Sequence, residues 1–357
     1  MQPIIYVAIT NHGFGHATRT AAVAAEIQRL RPDTTLILTT TAPRWLLESY
    51  ITGDFIHRPR SFDIGVVQSD SITMDKPATL AKLQQIQGNQ AATVASEAAF
   101  LKQNRVDLVL ADIPPLAAPI ARQAGVPCWM ASNFGWDFVY RVWGSAFTEV
   151  ADWISDCYSQ CDRLFRLPFY EPMSAFPHVE DVGLTGGSPR WSADELRQEF
   201  DVNPEADKTV LLTFGGLGLA QIPYAGLKRF EGWQFITFDR AAPDLPHLLK
   251  VTDQRYRPVD MLPLCDLIVS KPGYGTFSEA CLHDVPLISI TRDDFAEAPV
   301  LIEGIRRSSA HRIISPERLV EGGWSFLEEP LTPPTGQEML PKNGNQVIAQ
   351  AVIDAVT

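Results

Sequence analysis

Short apolar runs separated by longer stretches of helical spacing dominate the chain. Residues 4–10 (IIYVAIT), 34–40 (TTLILTT), 106–112 (VDLVLAD) and 126–132 (VPCWMAS) are near-continuous in apolar character, the pattern of strands covered on both faces. Between the first two, Val23, Ile27 and Leu30 recur at helical spacing and Pro32 closes the helix. Strand and helix in alternation predict a parallel sheet flanked by helices. The rhythm breaks over 167–191, a stretch rich in proline and glycine with no period, which reads as the crossing between two domains. It resumes with strands at 209–216 (TVLLTFGG), 233–238 (WQFITF), 265–270 (CDLIVS) and 285–290 (VPLISI). A last helix follows the proline-rich segment 330–341, with Val347, Ile348, Ala351, Val352 and Ala355 on one side. The expectation is an α/β chain of two tandem Rossmann-like domains, 1–170 and 180–340, with a C-terminal helix in 341–357.

Composition changes this picture little. With 357 residues, 45% hydrophobic and 20% charged, the chain is long enough for two cores and has no bias toward disorder. A net charge of −12 argues against nucleic-acid binding, which needs basic surface, but not against a small anion held by amides and a helix end. The cysteines are odd in number and lack CxxC spacing, so Cys128, Cys157, Cys161, Cys265 and Cys281 read as reduced thiols rather than a metal or redox centre. No apolar run of about 18 residues appears, so no membrane span is expected, although peripheral membrane contact stays open. Met1 leads into the first strand without a basic region or cleavage site, which predicts a cytoplasmic protein.

The candidate chemistry lies in two glycine-rich bends. The first, TNHGFGHAT at 10–18, is not a dinucleotide fingerprint: Thr18 stands where the third glycine belongs, and the second strand ends in threonines instead of an acid. It does lie at the carboxyl end of a strand, where open α/β sheets hold ligands. Gly13 and Gly15 let the backbone approach a ligand, and His16 begins the helix, whose positive end favours a neutral imidazole over an imidazolium. His16 is therefore the candidate base and His12 the lesser one. In the second bend, within 267–290, Gly273 and Gly275 precede Thr276, Ser278 and Glu279 at a helix start, an arrangement that suits a diphosphate. Glu279 reads equally as an acceptor for sugar hydroxyls and as a capping box with Thr276. A third cluster, FGGLG at 214–218 with Gly215 and Gly216, either closes over that diphosphate or is a plain turn.

Together these segments resemble the two-domain glycosyltransferases of the GT-B fold. The nearest groups are the UDP-sugar-dependent enzymes and the lipid-linked N-acetylglucosaminyltransferase of peptidoglycan synthesis. The bends GFGHATR and GYGTFSEA are also similar to the glycosyltransferase-like half of plant L-arabinokinases. The resemblance implies two domains facing across a cleft, the first binding acceptor and the second nucleotide sugar, with the last helix crossing back to the first domain. It implies His16 as the base that deprotonates an acceptor hydroxyl and Asp112 as the carboxylate that orients it. On the donor side it implies Gly273, Tyr274, Gly275, Thr276 and Ser278 around the diphosphate, which Gly215 and Gly216 could face from the other side, Glu279 on the ribose, and Asp293 and Asp294 on the sugar. Asp294 stands where the family has an amide. Arg19 stands where many relatives have proline, and reads either as a contact to an acidic acceptor or phosphate, or as an exposed surface charge. Phe134 and Trp136 read as acceptor-stacking residues or as core. The implied reaction is inverting transfer from a nucleoside-diphosphate sugar, a UDP-sugar by resemblance, to an unknown hydroxyl acceptor, with no metal and no cofactor. The competing expectations are a nucleotide-sugar 2-epimerase on the same fold and a non-catalytic nucleotide-sugar-binding module.

Overall fold

The structure is a computed structural model that describes residues 2–69, 73–215, 219, 222–321, 323–336 and 339–357. It divides into two compact units, the first made of Met1–Gln68, Met74–Gly186 and Leu340–Thr357, the second built on Gly187–Met339.

The first unit holds a seven-stranded sheet: β1 (Ile4–Ile9), β2 (Thr35–Thr39), β3 (Ile56–Arg58), β4 (Leu108–Asp112), β5 (Cys128–Ser132), β6 (Arg163–Arg166) and β7 (Val179–Asp181). All neighbours are parallel, in the order β3-β2-β1-β4-β5-β6-β7. The second unit holds β8 (Lys208–Thr213), β9 (Trp233–Thr237), β10 (Leu248–Lys250), β11 (Leu267–Ser270), β12 (Leu287–Ile290) and β13 (His311–Ile314), again parallel, in the order β10-β9-β8-β11-β12-β13. Both orders reverse beside the first strand of the unit. That switch point opens a crevice at the carboxyl ends of the two flanking strands. In the first unit these are β1 and β4, where Ile9 pairs with Asp112; in the second they are β8 and β11, where Thr213 pairs with Ser270.

The eight strands expected from apolar runs all form, because each run supplies at least three buried residues within a strand of four to six. The strands that the pattern did not reveal, β3, β6, β7, β10 and β13, have only three or four residues each, too few to carry a period. One of them narrows the reading of 167–191 as a crossing: β7 lies inside it and pairs with β6, Leu164 against Val179, and the first unit runs on to Gly186, so the passage to the second unit falls at the end of the stretch. Buried Phe169, Met173, Phe176 and Leu184 anchor the segment, and Phe176 stacks on Tyr158 at 4.6 Å. The prolines remove periodicity without removing burial.

The C-terminal helix Gly344–Ala355 returns to the first unit and packs on the helix Gly15–Leu30 that follows β1. Ile348, Ala349 and Val352 are fully buried there, whereas Ala355, expected on the same face, is exposed. Gly344 permits the approach: a Cβ at this position would lie 2.2 Å from the Gly183 carbonyl oxygen, and the Gly344 N–H donates to Leu184 O at 3.0 Å. Among the described residues no helix is long and apolar enough to cross a membrane.

Ile348→Ala is expected to destabilise the first unit by about 2–5 kcal/mol, the usual range for truncating a buried aliphatic side chain. Urea denaturation followed by tryptophan fluorescence measures it, and a change below about 0.5 kcal/mol would show that the helix is not part of this core.

Candidate functional site

In the first unit the site forms where β1 and β4 end. The chain leaves β1 through Thr10–Phe14, with Gly13 in the left-handed region at φ +61°, and enters the helix at Gly15. Gly13 and Gly15 are exposed, and a Cβ at either would meet nothing within 4 Å, so this side of the bend is open. His16, the second residue of the helix, is 6% exposed. Its Nδ1 lies 2.8 Å from Asp112 Oδ1.

Asp112 is the centre of the arrangement. Arg19, one turn after His16, bonds both of its oxygens, Nε to Oδ2 and Nη2 to Oδ1, each at 2.6 Å. Thr20 Oγ1 also donates to Oδ2, at 3.0 Å. Arg19 also donates from Nη1 to Asn133 Oδ1 at 2.8 Å. Burial alone would push the Asp112 carboxyl up. The Arg19 guanidinium, and His16 after it, prevail and hold it well below the usual carboxylate range. The carboxylate is therefore ionised and is an acceptor for a hydrogen on His16 Nδ1; in that tautomer Nε2 carries the lone pair. This corrects the surface-charge expectation for Arg19. At 3% exposure it is not a surface charge; it is the counter-ion of Asp112.

The aromatic residues settle similarly. Phe134 and Trp136 are each 1% exposed, with ring centroids 5.7 and 6.1 Å from that of His16. They wall the imidazole and are core, so the stacking-platform expectation does not hold for them. Trp136 Nε1 donates to Thr10 Oγ1 at 2.8 Å, and His12 packs edge-on to Trp136 at 5.1 Å. His12 Nδ1 accepts the Val66 N–H at 3.2 Å.

Asp63 was not legible in the sequence. It sits on the loop after β3, is 3% exposed, accepts the Asn11 N–H at 2.7 Å and is bonded by Thr10 Oγ1. Burial pushes its carboxyl up to about 7, against those hydrogen bonds. No motif marks it, because its neighbours in space are some fifty positions away in the chain.

In the second unit the bend after β11 forms the start of a helix, Tyr274–Leu282, with Gly273 as the N-cap. The helix begins two residues before Thr276, and the cap has no side-chain hydrogen bond. The capping-box reading of Thr276 and Glu279 is thereby excluded: Glu279 lies in the second turn, where its Oε1 accepts the Gly187 N–H at 3.0 Å. A Cβ at Gly273 would meet nothing within 4 Å, Gly275 and Thr276 are half-buried, and Ser278 is fully buried. Gly215, at φ +80°, leaves β8 on the other side of the same switch point; Gly216 lies outside the described residues. Asp293 and Asp294 are exposed on the loop after β12. Two cations at the strand ends had not been singled out. Burial pushes the half-buried Lys271 ammonium down to about 8, aided by the nearby charge of Arg292 and opposed by Glu297. Arg292 itself is 4% exposed, its guanidinium over the Phe295 ring at 4.2 Å. All five cysteines are free thiols, and Cys161 points its sulfur at the Cys128 and Arg163 carbonyls.

No family model matches the chain. L-arabinokinase of Arabidopsis thaliana is 33% identical over 305 residues, which is 82% of this chain and 28% of that protein. The chain thus spans about 28% of the length of the curated relative it matches. Among solved structures, the glycotransferase of kitacinnamycin superposes with a TM-score of 0.61 at 14% identity, covering 100% of both chains. UGT89C1 of Arabidopsis thaliana complexed with UDP gives 0.57 at 13%, covering 100% of this chain and 96% of that one. A putative UDP-N-acetylglucosamine 2-epimerase from Listeria monocytogenes gives 0.58 at 13%, covering 99% and 95%. The chain has the GT-B fold: two parallel-sheet α/β units of seven and six strands.

The raised Asp63 carboxyl has a consequence for stability. Its folded-state value lies above its unfolded one near 4, so its contribution is fully present below about pH 4 and is lost as pH rises to about 7. Asp63→Asn is expected to remove this slope, at most about 1.4 kcal/mol per pH unit, in urea denaturation between pH 4 and 7. An unchanged slope would place the Asp63 titration elsewhere.

Proposed function

We propose that this chain is a glycosyltransferase that moves a sugar from a UDP-sugar to an acceptor hydroxyl, with inversion and without a metal. The observation that carries the reading is the buried imidazole–carboxylate pair of His16 and Asp112 at the switch point of one GT-B unit. The other unit supports it with a glycine-rich helix start, capped by Gly273, at the corresponding place.

A hydroxyl is a poor nucleophile until a base takes its proton. In the proposed step His16 Nε2 accepts the acceptor's hydroxyl proton while that oxygen attacks the anomeric carbon. The bond from that carbon to the diphosphate oxygen breaks on the opposite face, and UDP leaves with the electron pair. Asp112 stabilises the imidazolium that forms. The departing diphosphate gathers negative charge, which the backbone amides of Tyr274, Gly275 and Thr276, the helix end and the Lys271 ammonium are suited to receive. Glu279 serves as the ribose contact, and Asp293 and Asp294, being exposed beyond β12, as sugar contacts. The open bend at Gly13 and Gly15 is the acceptor side.

The similarity to a putative epimerase favours a second reading, rearrangement of the nucleotide sugar itself. That reaction gives a new nucleotide sugar with no acceptor present, whereas transfer gives UDP only with one. L-arabinokinase is matched over 28% of its length, so its kinase activity is not carried to this chain.

A thermal-shift panel of nucleoside diphosphates is expected to show UDP as the strongest stabiliser, since a ligand that binds only the folded state raises Tm by mass action. His16→Ala is expected to keep the UDP shift and to lose about 10²–10⁴-fold in transfer to the acceptor that wild type uses. Glu279→Ala is expected to weaken the UDP shift. Transfer by His16→Ala at the wild-type rate would overturn the base assignment.

A further inference from the structure

Behind the imidazole there is a competition for one hydrogen. Arg19 Nη2 carries two hydrogens and faces three groups: Asp112 Oδ1 at 2.6 Å, Ser132 Oγ at 3.0 Å and His16 Nδ1 at 3.0 Å. The Asp112 bond is charge-assisted and forms one arm of the two-point fork with Nε, so it takes one hydrogen. The second is contested between Ser132 and His16, which lie at equal distance.

The outcome decides whether His16 can act as a base. With that hydrogen on Ser132, His16 keeps its own hydrogen on Nδ1, donates it to Asp112, and presents the Nε2 lone pair. With it on Nδ1, the imidazole hydrogen must move to Nε2. The Nδ1 lone pair would then face the Asp112 carboxylate, and Nε2 could not accept a proton.

Ser132 is built to win. It ends β5, is 0% exposed, and its hydroxyl hydrogen is already committed to Phe134 O at 2.9 Å. Its oxygen is thus oriented to accept, from Arg19 and more weakly from the Phe134 N–H at 3.4 Å. The Nη1 bond to Asn133 Oδ1, on the next residue, holds the guanidinium in the plane that reaches Ser132.

We infer that Ser132, by accepting the second Nη2 hydrogen of Arg19, sets the imidazole tautomer of His16 and so is a positioning residue for the proton transfer. The inference rests on the reading of His16 as the base. It assigns to a serine that touches no substrate the task of keeping Arg19, the counter-ion of Asp112, from becoming a donor to His16.

The test is long-range ¹H–¹⁵N NMR on the full chain labelled at histidine, which distinguishes Nδ1–H from Nε2–H imidazoles, alongside steady-state transfer kinetics. Wild type is expected to be the Nδ1–H form. Ser132→Ala is expected to populate the Nε2–H form and to lower kcat by about tenfold, with KM for the UDP-sugar within about twofold. Ser132→Thr, which keeps the hydroxyl, is expected to restore both. If Ser132→Ala folds poorly, Ser132→Cys, whose sulfur is a weak acceptor, makes the same comparison. A retained Nδ1–H tautomer in Ser132→Ala or Ser132→Cys overturns the inference, whether or not the rate falls, because a rate loss alone would mark a packing role. Failure of the underlying reading looks different: the tautomer moves with Ser132, but His16→Ala transfers at the wild-type rate.

Discussion

The first unit depends on one buried ion pair. Asp112 ends the strand next to β1 with 2% exposure, and an unpaired carboxylate there would be strongly destabilising. Arg19 meets both of its oxygens, and that contact ties the first helix to β4 across 93 positions of chain. The same contact leaves Asp112 ionised and fixed in orientation, which presents its Oδ1 to His16. Structural need and chemical use therefore coincide in one carboxylate. Removing Arg19 would expose the charge to its full desolvation cost and free the group that orients the imidazole.

The two units solve the same topological problem with different chemistry. Each sheet reverses order beside its first strand and so opens a crevice at the strand ends. In the first unit the crevice is furnished with side chains: an imidazole walled by Phe134 and Trp136, a carboxylate and a second acid, Asp63. In the second it is furnished with backbone, the glycine-rich turn at Gly273–Thr276, and with cations at the ends of β11 and β12. A base needs a tuned, desolvated side chain, whereas an anion needs fixed dipoles and positive charge. That division of labour is what the proposed transfer requires.

How far the chain could be read in advance follows from the range of each signal. The long core strands and the two glycine bends are local features, and both sheets carry them where expected. The helix start at Tyr274 shows the limit: Thr276 and Glu279 have capping-box spacing, yet the cap is Gly273, so spacing alone misplaced the first turn. Phe134 and Trp136 gave no means of choosing between platform and core. That choice depends on which faces the neighbouring strands close, and the structure closes them.

By itself the chain determined the two-unit α/β plan, through apolar runs and helical spacing, and the positions of the bends, through glycines that relax steric limits on the backbone. Those properties belong to residues within a few places of one another. Only the tertiary structure decided that Arg19 is a buried counter-ion instead of a surface charge, that Asp63 joins the site, and that Ser132 and His16 face one guanidinium hydrogen. Apart from the short link between Arg19 and His16, these depend on burial and on contacts between residues 52 to 114 positions apart, and electrostatics in a desolvated site responds to distance in space, whatever the order of residues along the chain.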